Sequence, residues 1–212
     1  MDKFAPKKLF FFGGTFDPPH RGHYQLVRTL LTQHPDALVL MMPSFVTPLR
    51  SLERYFSYRI RFSFLSLLFR EEIQQGRVRL STLERKLPRP NYTITTLEAL
   101  STICPMAPSV VIGFDQAIKL PQWKSADALM KNYHFTIFPR LQFENSQLPT
   151  FDDKNRNNHF ASQRLPAALK HFSLVEAFNY HESSTEIRKT LSSLNTPQRE
   201  KWVLEYLRSI KK

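Results

Sequence analysis

The sequence predicts an α/β domain in which helices cover both faces of a mainly parallel sheet of five to six strands. Continuous apolar runs such as Lys8–Phe12 and Ser109–Ile112 are typical of strands that are buried on both faces. Stretches with helical spacing alternate with these runs, as expected of strand–helix–strand units. Gly13 and Gly113 follow two of the runs, at the point where such a fold passes from a strand into a helix.

The first part of the chain predicts three strands and two helices. Apolar residues at helical spacing after Pro19 indicate a helix that Pro35 ends, and a second, largely buried helix is rich in Phe, Leu and Ile. The predicted elements are a strand at Lys8–Phe12, a helix with Tyr24, Val27, Leu30 and Leu31 on one face, a strand at Ala37–Met42, a helix at Ser57–Glu72 and a strand at Val78–Leu80.

The second part continues the alternation and ends in helices. The predicted elements are a helix at Thr93–Ser101, a strand at Ser109–Ile112, helical pieces at Phe114–Leu120 and Ala126–Lys131, strands at Phe135–Phe138 and Phe172–Val175, and helices at Ser184–Leu194 and Pro197–Ile210. Polar, irregular composition from Pro139 to about Pro166 predicts a loop. We therefore predict one Rossmann-like, doubly wound domain over residues 1–212, with an α/β core at 1–176 and a helical C-terminal part at 177–212.

Composition restricts the classes of protein to consider. The net charge of +12 indicates an anionic partner, but nucleic acid, nucleotide phosphates and mere solubility all remain open on charge alone. A single cysteine, Cys104, excludes an internal disulfide and a cysteine metal cluster. The stretch Met1–Lys8 leads into only five apolar residues, too few for a signal-peptide core or a membrane span, so we predict a cytoplasmic location without membrane partners.

The stretch from Gly13 to His23 is the first candidate for chemistry. His20 and His23 are three residues apart at a predicted helix start, so both rings can lie on one face. The amino end of a helix also offers free N–H groups to an anion such as phosphate. Imidazole donors can stabilise an oxygen that gains charge in a transition state, by about 3 kcal/mol each. A glycine turn with two surface histidines is the alternative interpretation.

This stretch, Gly13-Gly14-Thr15-Phe16-Asp17-Pro18-Pro19-His20-Arg21-Gly22-His23, resembles the signature of the HxGH nucleotidyltransferases in the form found in bacterial nicotinate-nucleotide adenylyltransferases. The resemblance implies direct attack by the 5′-phosphate of nicotinate mononucleotide on the α-phosphorus of ATP, giving deamido-NAD and pyrophosphate. It implies Mg²⁺ bound with the ATP phosphates, no metal ligands from protein side chains and no covalent enzyme intermediate. The implied catalytic residues are His20 and His23, and the implied ATP contacts here are Gly13, Gly14, Thr15 and Phe16.

A second motif lies near the carboxyl end, at Ser183–Arg188. On its own it is an ordinary capped helix start, although its hydroxyl groups and Arg188 are suited to phosphate. It resembles the SSTxIR motif of the same superfamily, which implies that Ser184, Thr185 and Arg188 contact ATP. The chain departs from that pattern at Glu182, where the family usually has an isoleucine.

A third motif follows the predicted strand Ser109–Ile112. A strand that ends in Gly-x-Asp can offer its backbone to phosphate and a carboxylate to ribose, but an ordinary turn fits as well. With Leu120 it resembles the family pattern IGxDxxxxLxxW. The resemblance implies that Gly113 and Asp115 contact ATP and that Trp123 stacks on the pyridine ring.

Further acceptor contacts are implied at three places. Asn91–Leu97, which alone is an ordinary helix start, resembles the YTxxTL segment of the family with Glu84 upstream, and this implies that Thr93 holds the nicotinate nucleotide. Arg140 and Arg50 fit phosphate contacts. Where the family commonly has Pro-His-Lys, this chain has Pro48-Leu49-Arg50, which keeps a cation without the histidine. Residues 141–170 carry no family motif.

Three functions are therefore compared. The first is AMP transfer to nicotinate mononucleotide. The second keeps the reaction but uses nicotinamide mononucleotide, phosphopantetheine or another phosphate as acceptor. The third is a non-catalytic protein of the same fold that binds nucleotides or RNA. The charge of +12, Glu182 and Leu49 favour it, whereas the intact pair His20 and His23 argues against it and so against nucleic acid as a partner.

Overall fold

The computed structural model describes residues 5–48, 54–138, 165–175 and 183–211. In this part of the chain, six strands form one sheet in which every neighbouring pair is parallel. The strands are β1 (Lys8–Gly14), β2 (Ala37–Pro43), β3 (Val78–Leu80), β4 (Pro108–Gly113), β5 (His134–Phe138) and β6 (Phe172–Leu174). Their order is β3-β2-β1-β4-β5-β6. The predicted doubly wound, parallel fold is confirmed.

Helices follow most of the strands. They are α1 (Arg21–Gln33), α2 (Tyr58–Leu68), α3 (Arg70–Gln74), α4 (Thr93–Ile103), α5 (Phe114–Ile118), α6 (Ala126–Asn132), α7 (Ser184–Leu191) and α8 (Thr196–Ile210). Short 3₁₀ turns lie at Leu83–Lys86 and Leu120–Gln122. None of the helices in the described residues combines the length and apolar character needed to cross a bilayer.

The apolar strands are explained by burial on both faces of the sheet. Phe10 and Phe12 of β1 pack with α1, α2, α7 and α8, whereas Leu9 and Phe11 of the same strand pack with α4 and α6. Successive side chains of a strand point to opposite faces, so a strand covered on both sides needs an unbroken apolar run.

The strands part at the carboxyl end, where the strand order reverses between β1 and β4. The pairing of β1 with β2 continues to Gly14 opposite Pro43, but its pairing with β4 runs only from Leu9 opposite Pro108 to Phe11 opposite Val110. Ligands of doubly wound folds bind in the crevice outside the strand ends at such a reversal. The glycines that end β1 and β4 both lie at this crevice.

Some predicted bounds are wrong. The single helix predicted at Ser57–Glu72 is divided at Phe69, whose backbone (φ −107°, ψ 23°) caps α2 and begins α3. Phe69 is fully buried against the ring of Tyr24, so tertiary packing overrides the helical pattern. The helix predicted to reach Leu194 ends at Leu191, and the 3₁₀ turn at Leu83–Lys86 was not predicted. Residues 139–164 of the loop predicted from Pro139 to about Pro166 lie outside the described residues.

Histidines cluster at the amino ends of the strands, opposite the crevice. The Nζ atom of Lys8 lies 3.3 Å from Nε2 of His34, and Oγ of Ser109 lies 2.7 Å from Nδ1 of His134. Burial and then the charge of Lys8 lower the pKa of both histidines from 6.5. The carboxylate of Asp36 opposes the shift at His34, whereas nearby His171 adds to it at His134.

We expect the free energy of unfolding to decrease as the pH falls below about 6.5. Because the folded-state pKa of each histidine lies below 6.5, the unfolded chain binds these protons at a higher pH than the folded chain does. The free energy of unfolding therefore decreases as the pH falls from about 6.5 to the folded-state pKa. Urea midpoints at about pH 7.5 and about pH 5 measure the loss. In a variant with His34→Gln and His134→Gln, the difference between the two urea midpoints should be smaller. The carboxylates titrate in both proteins, so the change in this difference reports the two histidines. An unchanged difference would contradict the assignment.

Candidate active site

The turn after β1 is built around aromatic rings. A Cβ atom on Gly13 would come within 3.0 Å of the Phe11 ring, and one on Gly14 within 3.2 Å of the Phe16 ring. Phe16 has a positive φ of 50° and is buried, with its ring edge-on to that of Phe12 at 5.3 Å. A side chain at either position would therefore press on an aromatic ring, which would have to shift. The chain then enters the segment Thr15–His20, which we call the histidine loop.

His20 and His23 form a reciprocal pair at the start of α1. The Nδ1 atom of His20 accepts the N–H of Gly22 at 3.1 Å, and the Nδ1 atom of His23 accepts the N–H of His20 at 3.1 Å. The two ring centroids lie 3.7 Å apart. A ring nitrogen that accepts a hydrogen bond carries no proton, so each neutral ring holds its proton on Nε2. The pair thus supplies two neighbouring Nε2–H donors, which suits the stabilisation of charge on phosphate oxygens.

The expectation that the amino end of α1 offers free N–H groups is wrong for the first positions. Besides the two bonds within the pair, the N–H of Arg21 donates to the hydroxyl of Tyr206 in α8 at 2.9 Å. Side chains therefore already satisfy the N–H groups of His20, Arg21 and Gly22, so these three amides are already bonded within the protein.

The motif near the carboxyl end meets the histidine loop. Ser183 caps α7 in a capping box with Glu186, which leaves the next serine for another contact. The hydroxyl of Ser184 donates to the carbonyl of Pro18 at 2.9 Å. The guanidinium of Arg188 donates to the carbonyl of Asp17 at 2.9 Å, and to the hydroxyl of Thr185 at 2.9 Å. The fold thus brings together two predicted motifs that lie more than 160 residues apart.

Gly113 and Asp115 lie at the other side of the crevice. Gly113 ends β4 opposite Phe138 of β5 and precedes α5. Asp115 lies in the first turn of α5, where its Oδ2 atom accepts a hydrogen bond from the Gln116 side chain at 3.0 Å. The ring of Phe138 stands edge-on to that of Phe12 at 6.3 Å, which joins this side of the crevice to β1.

The residues predicted to hold the acceptor come from two further elements. Thr93 begins α4, and Trp123 follows the second 3₁₀ turn; both are half-buried. The ammonium group of Lys124 lies 4.3 Å from the ring centroid of Tyr92, so the chain neighbours of the two residues are in contact. Four residues that the motif comparison singled out lie outside the described residues: Leu49, Arg50, Arg140 and Glu182.

The segment Ser44–Pro48, which we call the β2 loop, is held by two polar residues that sequence reasoning did not assign. The Oε2 atom of Glu84 accepts the N–H of Phe45 at 2.9 Å, and its Oε1 atom accepts the hydroxyl of Thr96 at 3.2 Å. The Oδ1 atom of Asn91 accepts the N–H of Val46 at 2.8 Å. Burial raises the pKa of the Glu84 carboxyl group above 4.5, although the hydrogen bonds from Phe45 and Thr96 oppose this shift.

Asp17 and Arg61 are two further residues that sequence reasoning missed as site residues. Both are buried, Arg61 completely. Burial raises the pKa of Asp17 above 3.8. The hydrogen bonds that its carboxylate accepts from the N–H groups of Tyr55 and Phe56, and the positive charge of Arg61, oppose this shift. Burial and then nearby Arg54 lower the pKa of Arg61 to about 10, so the guanidinium stays charged at neutral pH. The sequence signal for Arg61 was a charged residue in the largely apolar helix α2. The spacing of residues along a helix does not show which distant groups such a residue contacts.

The strand order defines a doubly wound α/β protein, and the histidine pair lies at the crevice where such proteins bind their ligands. A family model described as cytidylyltransferase-like matches residues 11–190. The chain belongs to this cytidylyltransferase-like family.

Relatives extend the match over most of the chain. A "Probable nicotinate-nucleotide adenylyltransferase" of Porphyromonas gingivalis is 31% identical over 90% of this chain and 98% of its own length. One of Leptospira interrogans, with the same name, is 31% identical over 92% of each chain. The solved Plasmodium falciparum nicotinic acid mononucleotide adenylyltransferase complexed with NaAD has a TM-score of 0.67 at 16% identity, over 96% of this chain and 95% of that chain; this likeness is one of fold. The resemblance stated from the sequence is confirmed.

Proposed function

We infer that this protein is an enzyme that transfers AMP from ATP to nicotinate mononucleotide. The products are deamido-NAD and pyrophosphate, so the reaction belongs to NAD biosynthesis. Relatives named for this activity match at least 90% of the chain. The structural observation that supports it is the pair His20 and His23 at the crevice, with both Nδ1 atoms occupied by main-chain N–H groups.

The pair supplies the electrostatic part of the reaction. An oxygen of the acceptor 5′-phosphate attacks the α-phosphorus of ATP, and a new P–O bond forms as the bond from that phosphorus to the pyrophosphate oxygen breaks. Pyrophosphate leaves with the electron pair. Charge develops on the phosphate oxygens, where the Nε2–H groups of His20 and His23 would donate, each contributing about 3 kcal/mol. No bond to the protein forms, so positioning and charge stabilisation carry the catalysis.

We assign the remaining predicted residues to the two substrates. The ATP side is supported by the contacts of α7 with the histidine loop, and the acceptor side by the neighbouring starts of α4 and α6. The proposed ATP contacts are Gly13, Gly14, Thr15, Phe16, Gly113, Asp115, Ser184, Thr185 and Arg188. The proposed acceptor contacts are Thr93, Trp123, Arg50 and Arg140.

The site fits Mg²⁺ as an ion that enters with ATP. Mg²⁺ keeps several waters and uses at most one or two carboxylates beside the substrate phosphates. Among the residues that the structure describes, no group of three or more His, Cys, Asp or Glu side chains is placed to hold a metal. The carboxylate of Asp17 already accepts two main-chain N–H groups. We propose that the ATP phosphates and water hold the ion, which offsets their negative charge.

We propose that residues 1–212 form a single nucleotidyltransferase domain, with the α/β core at 1–176 and a helical part at 177–212 that carries the Ser184–Arg188 motif. The bonds from Ser184 and Arg188 to the histidine loop support this division, because the helical part completes the site of the core. The partners of the domain are its small-molecule substrates. A cytoplasmic location stays a prediction.

Pyrophosphate release by the purified protein tests the function. We expect release from ATP to be fastest with nicotinate mononucleotide, slower with nicotinamide mononucleotide and at background with phosphopantetheine. A protein carrying His20→Asn and His23→Asn, purified in the same way, controls for contaminating enzymes. Absence of release with every acceptor would contradict an enzyme, and faster release with another acceptor would contradict the substrate.

A further inference from the structure

Arg61 joins three main-chain segments at the crevice. Its guanidinium donates to the carbonyl of Thr15 in the histidine loop, to that of Ser44 in the β2 loop at 2.8 Å, and to that of Phe56 at 3.2 Å. The side chain is completely buried. A planar guanidinium presents its donors in a fixed fork, so its three acceptors cannot move independently. This side chain therefore ties together the loops that follow β1 and β2, beyond the main-chain bond from the N–H of Ser44 to the carbonyl of Gly14 at 2.8 Å.

Asp17 forms the second connection between the same segments. Its carboxylate accepts the N–H of Tyr55 at 2.9 Å and the N–H of Phe56 at 3.0 Å. Phe56 is thus held at its N–H by Asp17 and at its carbonyl by Arg61. Its ring is buried, edge-on to that of Phe64 at 5.1 Å. The chain entering α2 is therefore bound to the histidine loop at several atoms.

We propose that Arg61 and Asp17 are positioning residues, which hold the histidine loop and the β2 loop at one separation so that the two substrates meet in line. This rests on the proposed function, in which the histidine loop takes the ATP phosphates and the acceptor is held by Thr93, two residues after the Asn91 that binds the β2 loop. Reacting atoms must approach to about 3–3.5 Å, and an error of about 1 Å costs about a hundredfold in rate. Neither residue needs to touch a substrate.

The kinetic signature is a loss of kcat without loss of binding. Arg61→Lys keeps the positive charge but replaces the fork by one ammonium group, which cannot span the same three carbonyls. We expect kcat to fall at least about tenfold, while the KM for each substrate stays within about threefold, because each loop keeps its own contacts. Asp17→Asn exchanges one acceptor oxygen for a donor, and we expect the same pattern.

Arg77 offers a matched control at the opposite end of the sheet. It also donates to three carbonyls, those of Leu31, His34 and Ala37, each at 3.1 Å. Arg77→Lys removes a similar fork from a similar set of acceptors, far from the crevice. We expect Arg77→Lys to lower the urea midpoint as Arg61→Lys does, with kcat unchanged. A merely structural role of Arg61 would make the two variants alike in both measurements.

Amide hydrogen exchange gives a readout that does not depend on activity. We expect Arg61→Lys and Asp17→Asn to speed exchange at Tyr55 and Phe56 at least about tenfold, and Arg77→Lys to leave these amides unchanged. Unchanged exchange in both crevice variants, or a kcat for both equal to that of Arg77→Lys, overturns the proposal. If wild type releases no pyrophosphate, the proposed function fails, and exchange alone still decides whether the two residues hold the loops. Should Arg61→Lys not fold, Asp17→Asn carries the test.

Discussion

His23→Ala and His23→Asn should each lower kcat by at least about a hundredfold, because both remove one Nε2–H donor from the transition state. The two variants differ in what they do to the helix. Alanine also removes the Nδ1 atom that accepts the N–H of His20 at 3.1 Å. The side-chain oxygen of asparagine lies near the place of Nδ1 and can keep that bond.

The comparison separates catalysis from capping. Loss of a helix cap costs about 1 kcal/mol, so His23→Ala should unfold at lower urea than His23→Asn, while both remain folded at low urea. The turnover of the two should nevertheless be equally low. Steady-state pyrophosphate release at saturating substrates gives kcat, and urea unfolding gives the stability.

His34→Asn is the control for replacing a histidine away from the crevice, since His34 lies at the other end of α1, where its main-chain N–H donates to the carbonyl of Leu30 at 2.9 Å. We expect its kcat to stay within about twofold of wild type. If His23→Asn keeps wild-type turnover while His23→Ala loses it, the ring acts only as a cap, and the role assigned to its Nε2–H is wrong.

The sequence predicted the fold well because burial on both faces leaves an unmistakable pattern. Lys8–Phe12 and Ser109–Ile112 are continuous apolar runs, and both proved to be central strands with helices on each side. The break at Phe69 was not predictable, since the apolar spacing passes through it unchanged. There a buried ring, rather than local propensity, determines the backbone.

The candidate site was predictable where one short stretch carries the geometry. His20 and His23 needed only helical spacing to share a face, and the structure places their ring centroids 3.7 Å apart. The contacts that hold this stretch come from distant parts of the chain: Tyr206 accepts the N–H of Arg21, and Arg61 holds Thr15. A hydrogen bond between residues 46 or 185 positions apart leaves no spacing to recognise, so these roles required the structure.

Arg188→Met should lower kcat/KM for ATP by about a hundredfold, mostly through a higher KM for ATP. A charge-assisted bond to phosphate contributes about 1.5–3 kcal/mol, which corresponds to about 10- to 150-fold. In the structure Arg188 donates to the carbonyl of Asp17 and to the hydroxyl of Thr185, both at 2.9 Å. A guanidinium has five N–H donors, so these two bonds do not exhaust its capacity. It can hold the histidine loop and bind a phosphate oxygen together.

Two variants of the same helix separate these roles. Ser184→Ala removes the bond to the carbonyl of Pro18, which is the other contact of α7 with the loop, and keeps the charge of Arg188. Lys189→Met removes one positive charge from the next, exposed position, and so controls for the general field at the site. Initial rates at varied ATP, with nicotinate mononucleotide saturating, give the KM for each variant.

If Arg188 binds ATP, Arg188→Met raises the KM for ATP more strongly than Ser184→Ala, since it removes a charged donor from the phosphates whereas Ser184→Ala removes an uncharged hydroxyl group. If Arg188 acts only by holding the loop, Arg188→Met should lower kcat and leave the KM for ATP near that of wild type. A long-range field effect predicts a third pattern, in which Lys189→Met raises the KM as much as Arg188→Met and added salt reduces both effects. An unchanged KM for ATP in Arg188→Met would therefore rule out the phosphate contact and leave α7 only as a support for the histidine loop.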